Sequence, residues 1–254
     1  MKTIMQQDIF DKAGEFLALL KDSQCSVVLT GAGVSTGSGI PDFRSTHGLF
    51  SKISQRTFEI NYFFSEPLKY YQTAIEHIHS LADKTPNPTH EMLAQLEQAG
   101  LIQGIVTQNI DRLHQKAGSK RVVEFHGDVV SFHCTSCHKA FDRATVEAST
   151  QKDMAPYCPE CDSLIRPGIT FYGDPINPKV LEAAYDLTER SDLFIVMGSS
   201  LTVNPAATLA GMATRQGAKL IILNLESTPY DHLAEAVWHI NLDAFSQAVK
   251  QAMA

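Results

Sequence analysis

Two textures alternate along the chain. Short apolar runs rich in β-branched residues recur at 25–30, 104–108, 122–125, 192–197, 219–223 and 236–240, the length of buried strands. Between most of them the apolar positions fall at helical spacing, over 8–21, 178–190, 205–216 and from 243 to the C-terminus. Pro178 and Pro205 stand at helix starts, Gly217 follows a helix end, and Asp243 is placed to cap the last helix. Strand followed by helix predicts parallel pairing, because each helix carries the chain back to the same end of the sheet. The expected fold class is α/β, with a Rossmann-like, doubly wound parallel sheet.

Two stretches break this rhythm. Residues 46–100 are aromatic-rich helical text, and 131–165 hold four of the five cysteines. They are expected to pack side by side as a smaller lobe, a zinc-binding module beside a helical excursion. One domain, 1–254, then has its large lobe at about 1–45, 101–130 and 166–254. No internal repeat or low-complexity tract interrupts it.

Cys134, Cys137, Cys158 and Cys161 form two CxxC pairs. Each CxxC turn can aim two sulfurs at one ion, so the quartet predicts one tetrahedral, structural zinc with no position open for chemistry. His133 and His138 beside it are expected bystanders, since four thiolates complete the shell. Cys25 opens the apolar run CSVVLT and reads as a core residue. Thiols spaced as ligands fit a reducing cytoplasm. With 21 Lys and Arg against 28 Asp and Glu, the formal charge is -7, which argues against sequence-independent binding to nucleic acid. No stretch reaches the ~18 apolar residues of a membrane span. Residues 1–20 carry Asp8, Asp11 and Glu15 without a strongly basic start, so no secretory signal is expected.

Chemistry is therefore sought outside the cysteines. The strand at 25–30 runs directly into Gly31, Ala32 and Gly33, the place where an α/β sheet receives phosphates, although a lone glycine turn is equally often structural. The text that follows is more specific: Thr36 to Gly39 are small and hydrogen-bonding, and Pro41, Asp42, Phe43 and Arg44 set a rigid turn, a ring and a cation together.

GAGVSTGSGIPDFRS at 31–45, TQNIDRLH at 107–114, EFHG at 124–127, the two CxxC pairs, GSSLTVNPAA at 198–207 and ILNLES at 222–227 together resemble the sirtuin family of NAD-dependent protein lysine deacylases, in its bacterial form. The resemblance implies NAD as co-substrate and acyl-lysine proteins or peptides as substrates. In that mechanism the acyl oxygen displaces nicotinamide at the ribose C1 carbon to form an alkylimidate. A base-activated ribose hydroxyl then attacks, and the products are lysine, nicotinamide and O-acyl-ADP-ribose.

Carried over residue by residue, His126 is the general base; a histidine at a strand end is otherwise usually a hydrogen-bonded structural ring. Asn109 orders ribose and a water. Asp111 accepts from the nicotinamide carboxamide, against the alternative that it merely caps the next helix. Ala32, Thr36, Phe43, Arg44, Gln108 and Ile110 join the cofactor set; Phe43 would shield the ribose, or else be a core ring. Gly198, Ser199 and Ser200 follow a strand and open toward a helix, suited to phosphate oxygens. Asn224 matches the adenosine-ribose contact, with Leu225 on the adenine side, and Asp243 is left out as a cap.

Substrate contacts implied are Thr170, Gly173, Asp174 and Val203, between which a peptide adds as a strand. Thr170 replaces the common Val and Asp174 the common Glu. Tyr71 matches the Tyr of the family's succinyl-removing members, but Ala74 stands where they carry Arg, so a neutral acyl group is expected. Mono-ADP-ribosyl transfer and a nonenzymatic NAD-sensing zinc protein are the rival readings. A monomer is compatible with all of this.

Overall fold

The computed structural model describes residues 2–43, 48–150 and 153–253. Its strands among these are β1 (Ser26–Thr30), β2 (Gly104–Thr107), β3 (Val122–Glu124), β4 (Gly127–Cys134), β5 (Ala140–Phe141), β6 (Ile165–Ile169), β7 (Leu193–Met197), β8 (Lys219–Leu223) and β9 (Ala236–Trp238). Six of the described strands form one sheet in the order β3-β2-β1-β7-β8-β9, every pair parallel. The chain builds outward from β1 in one direction, then returns and builds from β7 in the other. That reversal opens a crevice between the β1 and β7 loops, the usual ligand position in such sheets.

Alternation along the strands explains the double winding. Val28, Ile105, Ile195 and Ile221 face one layer, packed on Phe16, Leu93 and Phe245 from helices Lys2–Asp22, Pro88–Gln98 and Leu242–Met253. Their neighbours Val27, Leu29, Val106, Phe194 and Ile222 face the other, against Ala184 and Leu209 from helices Pro178–Arg190 and Thr208–Arg215. Both faces are covered, so the strands are apolar throughout, and burial of each such side chain contributes about 1.5–3 kcal/mol. No described helix is long and apolar enough to cross a membrane.

A second sheet, antiparallel in the order β5-β4-β6, belongs to the cysteine-bearing segment. It shares a core with the 46–100 region: Phe63, Tyr70, Tyr71 and Ile78 pack with Val129, Phe132, Val146 and Ile165. The Tyr71 hydroxyl donates to the Ile165 carbonyl at 2.6 Å and ties the two together. Ile40, Ile110, Ile169 and Phe171 join the same core, so apolar contact runs without a break to the edge of the large sheet.

Three local expectations need correction. The opening helix begins at Lys2, well before residue 8. The helix expected from 205 starts at Thr208, because residues 203–207 close a turn in which Ala207 N–H donates to Val203 O at 2.9 Å. The last helix is capped by Asn241, whose Oδ1 accepts from Ala244 N–H at 2.9 Å; Asp243 lies inside the first turn and accepts from the Thr89 hydroxyl at 3.0 Å.

Candidate active site

Strand register lines up the site. One step past each strand the backbone ladder continues: Gln108 N–H donates to Thr30 O at 3.0 Å and Gly31 N–H to Met197 O at 3.1 Å. Gly198 N–H likewise donates to Leu223 O at 2.9 Å and Asn224 N–H to Trp238 O at 3.2 Å. Gly31, Gln108, Gly198 and Asn224 thus stand level along the carboxyl edge of the sheet.

At the centre two loops touch backbone to backbone. Gly33 N–H donates to Gly198 O at 2.8 Å, and a Cβ on Gly33 would come within 2.7 Å of the Gly198 Cα. Gly198 itself holds φ +62°, a left-handed conformation that L side chains rarely adopt. No other residue type fits this crossing without moving one loop. Residues 32–38 then wind as a tight 3-10 helix, Ala32–Ser38, rather than a full α-helix. Ser199 follows Gly198 and accepts from Gln108 Nε2 at 2.8 Å, which steadies the loop although the helix beyond is delayed to Thr208.

The resulting cleft has a volume of about 630 Å³, within the usual range for a ligand site. It brings together Ala32, Thr36 and Phe43; Gln108, Asn109, Ile110 and His126; Gly198, Ser199 and Ser200; and Asn224 with Leu225. Thr170, Gly173, Asp174 and Val203 border the same space. Asp111 lies instead in an adjoining side pocket of about 20 Å³, with Ala32, Phe43, Asn109 and Ile110 common to both. Arg44 lies outside the described residues.

His126 has a defined tautomer. Its Nδ1 lies 3.0 Å from the Gln108 carbonyl, which can only accept, so Nδ1 carries the proton and Nε2 keeps a free lone pair. Burial holds its pKa below the ordinary histidine value, opposed by that same carbonyl. A neutral imidazole with an open lone pair is poised to accept a proton.

Behind the cleft, Asn109 Nδ2 donates to the Gly31 carbonyl at 3.1 Å and to Ser35 Oγ at 3.0 Å. Asp111 accepts from Leu113 N–H at 2.9 Å and from the Ser35 hydroxyl at 2.7 Å. One oxygen therefore serves the helix that follows and the other the Ser35 hydroxyl, while the residue borders the side pocket. Burial pushes its carboxyl pKa up, while the Leu113 and Ser35 donors pull it down.

Asp174 is tied to β6 and to its own loop: Arg166 Nη2 donates to it at 2.5 Å and Phe171 N–H at 3.0 Å. Tyr71 and Ala74 are fully buried and do not line the cleft. Sequence reasoning gave Ser35 no role of its own, and it missed Phe50, Phe58 and Ile169, which with Phe171 of the substrate segment 170–174 give the cleft an apolar wall. Those rings carried no motif signal, because only folding sets them beside the nucleotide loop. Asn241, which caps the last helix two residues before the expected Asp243, also reaches the cleft with Leu242 and Asp243.

The four cysteine sulfurs lie within 4.8 Å of one another, with Cys134 and Cys161 at 3.4 Å and Cys137 and Cys158 at 3.7 Å. A tetrahedron of Zn–S bonds near 2.3 Å sets sulfurs ~3.8 Å apart, so the donor set fits zinc. None of the four lines the cleft among its described residues, which fits a structural ion.

Known proteins share this geometry. The model of the Sir2 family matches residues 31–205. An NAD-dependent protein deacetylase of Thermotoga maritima is 45% identical over 240 residues, 94% of this chain and 98% of the relative. NAD-dependent protein deacetylase 1 of Pyrobaculum aerophilum is 40% identical over 228 residues, 89% of each chain. A solved Sir2 complex with a deacetylated p53 peptide and 3'-O-acetyl ADP ribose superposes with a TM-score of 0.91 at 44% identity, covering 94% of this chain and 97% of the other. A Sir2 complex with p53 peptide and NAD+ gives 0.89 at 44% identity, with the same coverage. With its crossed glycine loops, its cysteine quartet and agreement over nearly its whole length, this chain belongs to the Sir2 family.

Proposed function

We propose that the protein is an NAD-dependent protein lysine deacylase, acting on acyl-lysine peptides or proteins and releasing nicotinamide, O-acyl-ADP-ribose and free lysine. The observation that carries the reading is His126, a neutral imidazole whose Nε2 lone pair is open at the wall of a cleft lined by nucleotide-type loops. NAD supplies the electrophilic ribose carbon. His126 takes the proton from a ribose hydroxyl, and Asn109, anchored on Gly31 and Ser35, orders the sugar. Backbone amides of the loops at Ala32 and at Gly198, Ser199 and Ser200 receive the pyrophosphate, with the Thr36 hydroxyl beside them. Asn224 and Leu225 take the adenosine end. Gln108 braces Ser199, and the nicotinamide end of NAD lies in the main cleft against Ile110, beside the small side pocket that Asp111 borders.

Phe43 stands between cleft and side pocket, where its ring shields the reacting sugar. The peptide lies between residues 170–174 and Val203 as an added strand, with its acyl group against Phe50, Phe58 and Phe171. One zinc on the cysteine quartet holds the small lobe. The lobe division given above, with 46–100 and 131–165 set apart from the rest, and a cytoplasmic location belong to the same reading.

Mass spectrometry of a reaction with NAD and an acetyl-lysine peptide tests it. Equal amounts of nicotinamide, deacetylated peptide and O-acetyl-ADP-ribose are the expected products. ADP-ribose attached to protein would instead favour transfer to a different acceptor, and bound but uncleaved NAD would favour a sensor.

A further inference from the structure

The nucleotide loop after β1 is a run that its own hydrogen bonds hold poorly. Residues Ala32–Ser38 wind as a 3-10 helix of seven residues, and such helices seldom pass about three or four because their hydrogen-bond geometry is poor. At the entry, Gly33 N–H donating to Gly198 O at 2.8 Å fixes the backbone. The exit has a different brace.

At Gly37 the space of a side chain is already taken. A Cβ there would overlap Oδ2 of Asp243 and come within 2.6 Å of its Cγ and 2.9 Å of its Oδ1, so the carboxylate lies against the loop. Gly37 is not among the glycines with positive φ, so its backbone would accept an L-residue and the carboxylate is what excludes one. With about three residues per turn, Thr36 and Gly37 point a third of a turn apart: Thr36 lines the cleft and Gly37 meets the last helix.

The carboxylate is fixed in place. Its Oδ1 accepts from the Thr89 hydroxyl at 3.0 Å, and Thr89, fully buried in helix Pro88–Gln98, accepts from the Ser246 hydroxyl at 3.2 Å. Ser246 is buried one turn after Asp243 on the last helix, so hydroxyls from both helices end on that one oxygen. Negative charge in the first turn of a helix is also favoured by its dipole. Asp243 thereby carries the packing of two helices onto the loop beside the cleft.

We propose that Asp243 is a positioning residue for NAD binding: its carboxylate, set against Gly37, holds the exit of the 3-10 loop and keeps Thr36 turned toward the pyrophosphate. The inference rests on the reading of this cleft as the NAD site of a deacylase, but binding measured without peptide separates the two.

Asp243→Asn keeps the shape and the acceptor for Thr89, whereas Asp243→Ala removes both. Calorimetric titration with NAD should show Asp243→Ala binding about tenfold more weakly and Asp243→Asn within about threefold of wild type. With an acetyl-lysine peptide, the KM for NAD should rise in step while kcat at saturating NAD and the peptide KM stay unchanged. Gly37→Ala forces the carboxylate off the loop and should weaken NAD as Asp243→Ala does. Combining the two makes room for the new methyl, and the double variant should return to within about threefold of wild type. In the ligand-free protein, hydrogen exchange of amides 33–39 should quicken in Asp243→Ala and not in Asp243→Asn.

Equal NAD affinity in Asp243→Ala and wild type, Asp243→Asn outside its stated range in either direction, or additive losses in the double variant each overturn the proposal. A wild-type protein that binds NAD but releases no nicotinamide from NAD and acyl-peptide sinks the deacylase reading instead, while calorimetry still decides the role of Asp243.

Discussion

The Ser35 hydroxyl donates to Asp111 across 2.7 Å, fastening the glycine loop after β1 to the segment after β2 at the back of the catalytic cleft. The bond is buried and its acceptor is a carboxylate. Ser35→Ala leaves the Asp111 carboxylate with backbone donors, the Leu113 amide and its own, and hydrogen bonds to charged groups contribute about 1.5–3 kcal/mol. Urea denaturation should show a loss of that order together with weaker nicotinamide inhibition. Unchanged values for both would remove Ser35 from the site.

His126→Ala removes the base without disturbing a packed core. Turnover should fall by roughly 10²–10⁴-fold, the usual contribution of general base catalysis, with NAD affinity retained by calorimetry. Burial lowers the His126 pKa, so the neutral, active form persists as pH falls and the acid limb of kcat/KM should lie below about 6.5. An acid limb above that value would contradict the environment described for the ring.

Stability has its own pH dependence. His79 is fully buried, neither ring nitrogen has a partner among the described residues, and burial pushes its pKa down to about 4. Between the unfolded value near 6.5 and about 4 the unfolded chain binds more protons, so stability falls as pH drops through that window. His79→Phe keeps the ring packed on Phe132 and Tyr71 and should raise the melting temperature at pH 5 more than at pH 7. An equal change at both pH values would mean the imidazole is not buried neutral.

Cys134→Ala breaks the zinc shell at a buried ligand. Structural zinc supplies on the order of 10–16 kcal/mol in small domains, comparable to the stability of a whole domain. Zinc content by atomic absorption should fall and turnover should vanish with it; a variant that keeps both refutes the structural role.

Acyl choice follows from the cleft wall. Phe50, Phe58, Ile169 and Phe171 line it, and its described lining holds no lysine or arginine. A succinyl carboxylate would lose water there without gaining a partner, so an acetyl peptide should react at least about tenfold faster than its succinyl counterpart. Faster succinyl removal on the same peptide would reverse this.

Periodicity alone was enough for the parallel sheet, because strands covered on both faces are apolar at every position and stand out from amphipathic helices. The cysteine quartet was equally plain, since the turn geometry of CxxC is local. Gly31, Gly33, Gly198, Gln108, Asn109 and His126 were legible as motif residues, each directly following or closely trailing a strand. Element ends were not: the start at Thr208 and the cap at Asn241 depend on turns whose hydrogen bonds compete over a few residues.

What the amino-acid order determined, then, is whatever repeats or closes within a few residues: strands, helices, the metal turn and the glycine loop. What only the tertiary structure decided is which distant groups meet. Ser35 and Asp111 come from two segments, and Phe50, Phe58 and Phe171 from two more. Ser35 and Asp111 stand in motifs legible in the sequence, but nothing in the local text says which of these groups meet, because a buried hydrogen-bond node or an apolar wall is defined by its partners, and the partners are assembled only when the sheet and the small lobe pack.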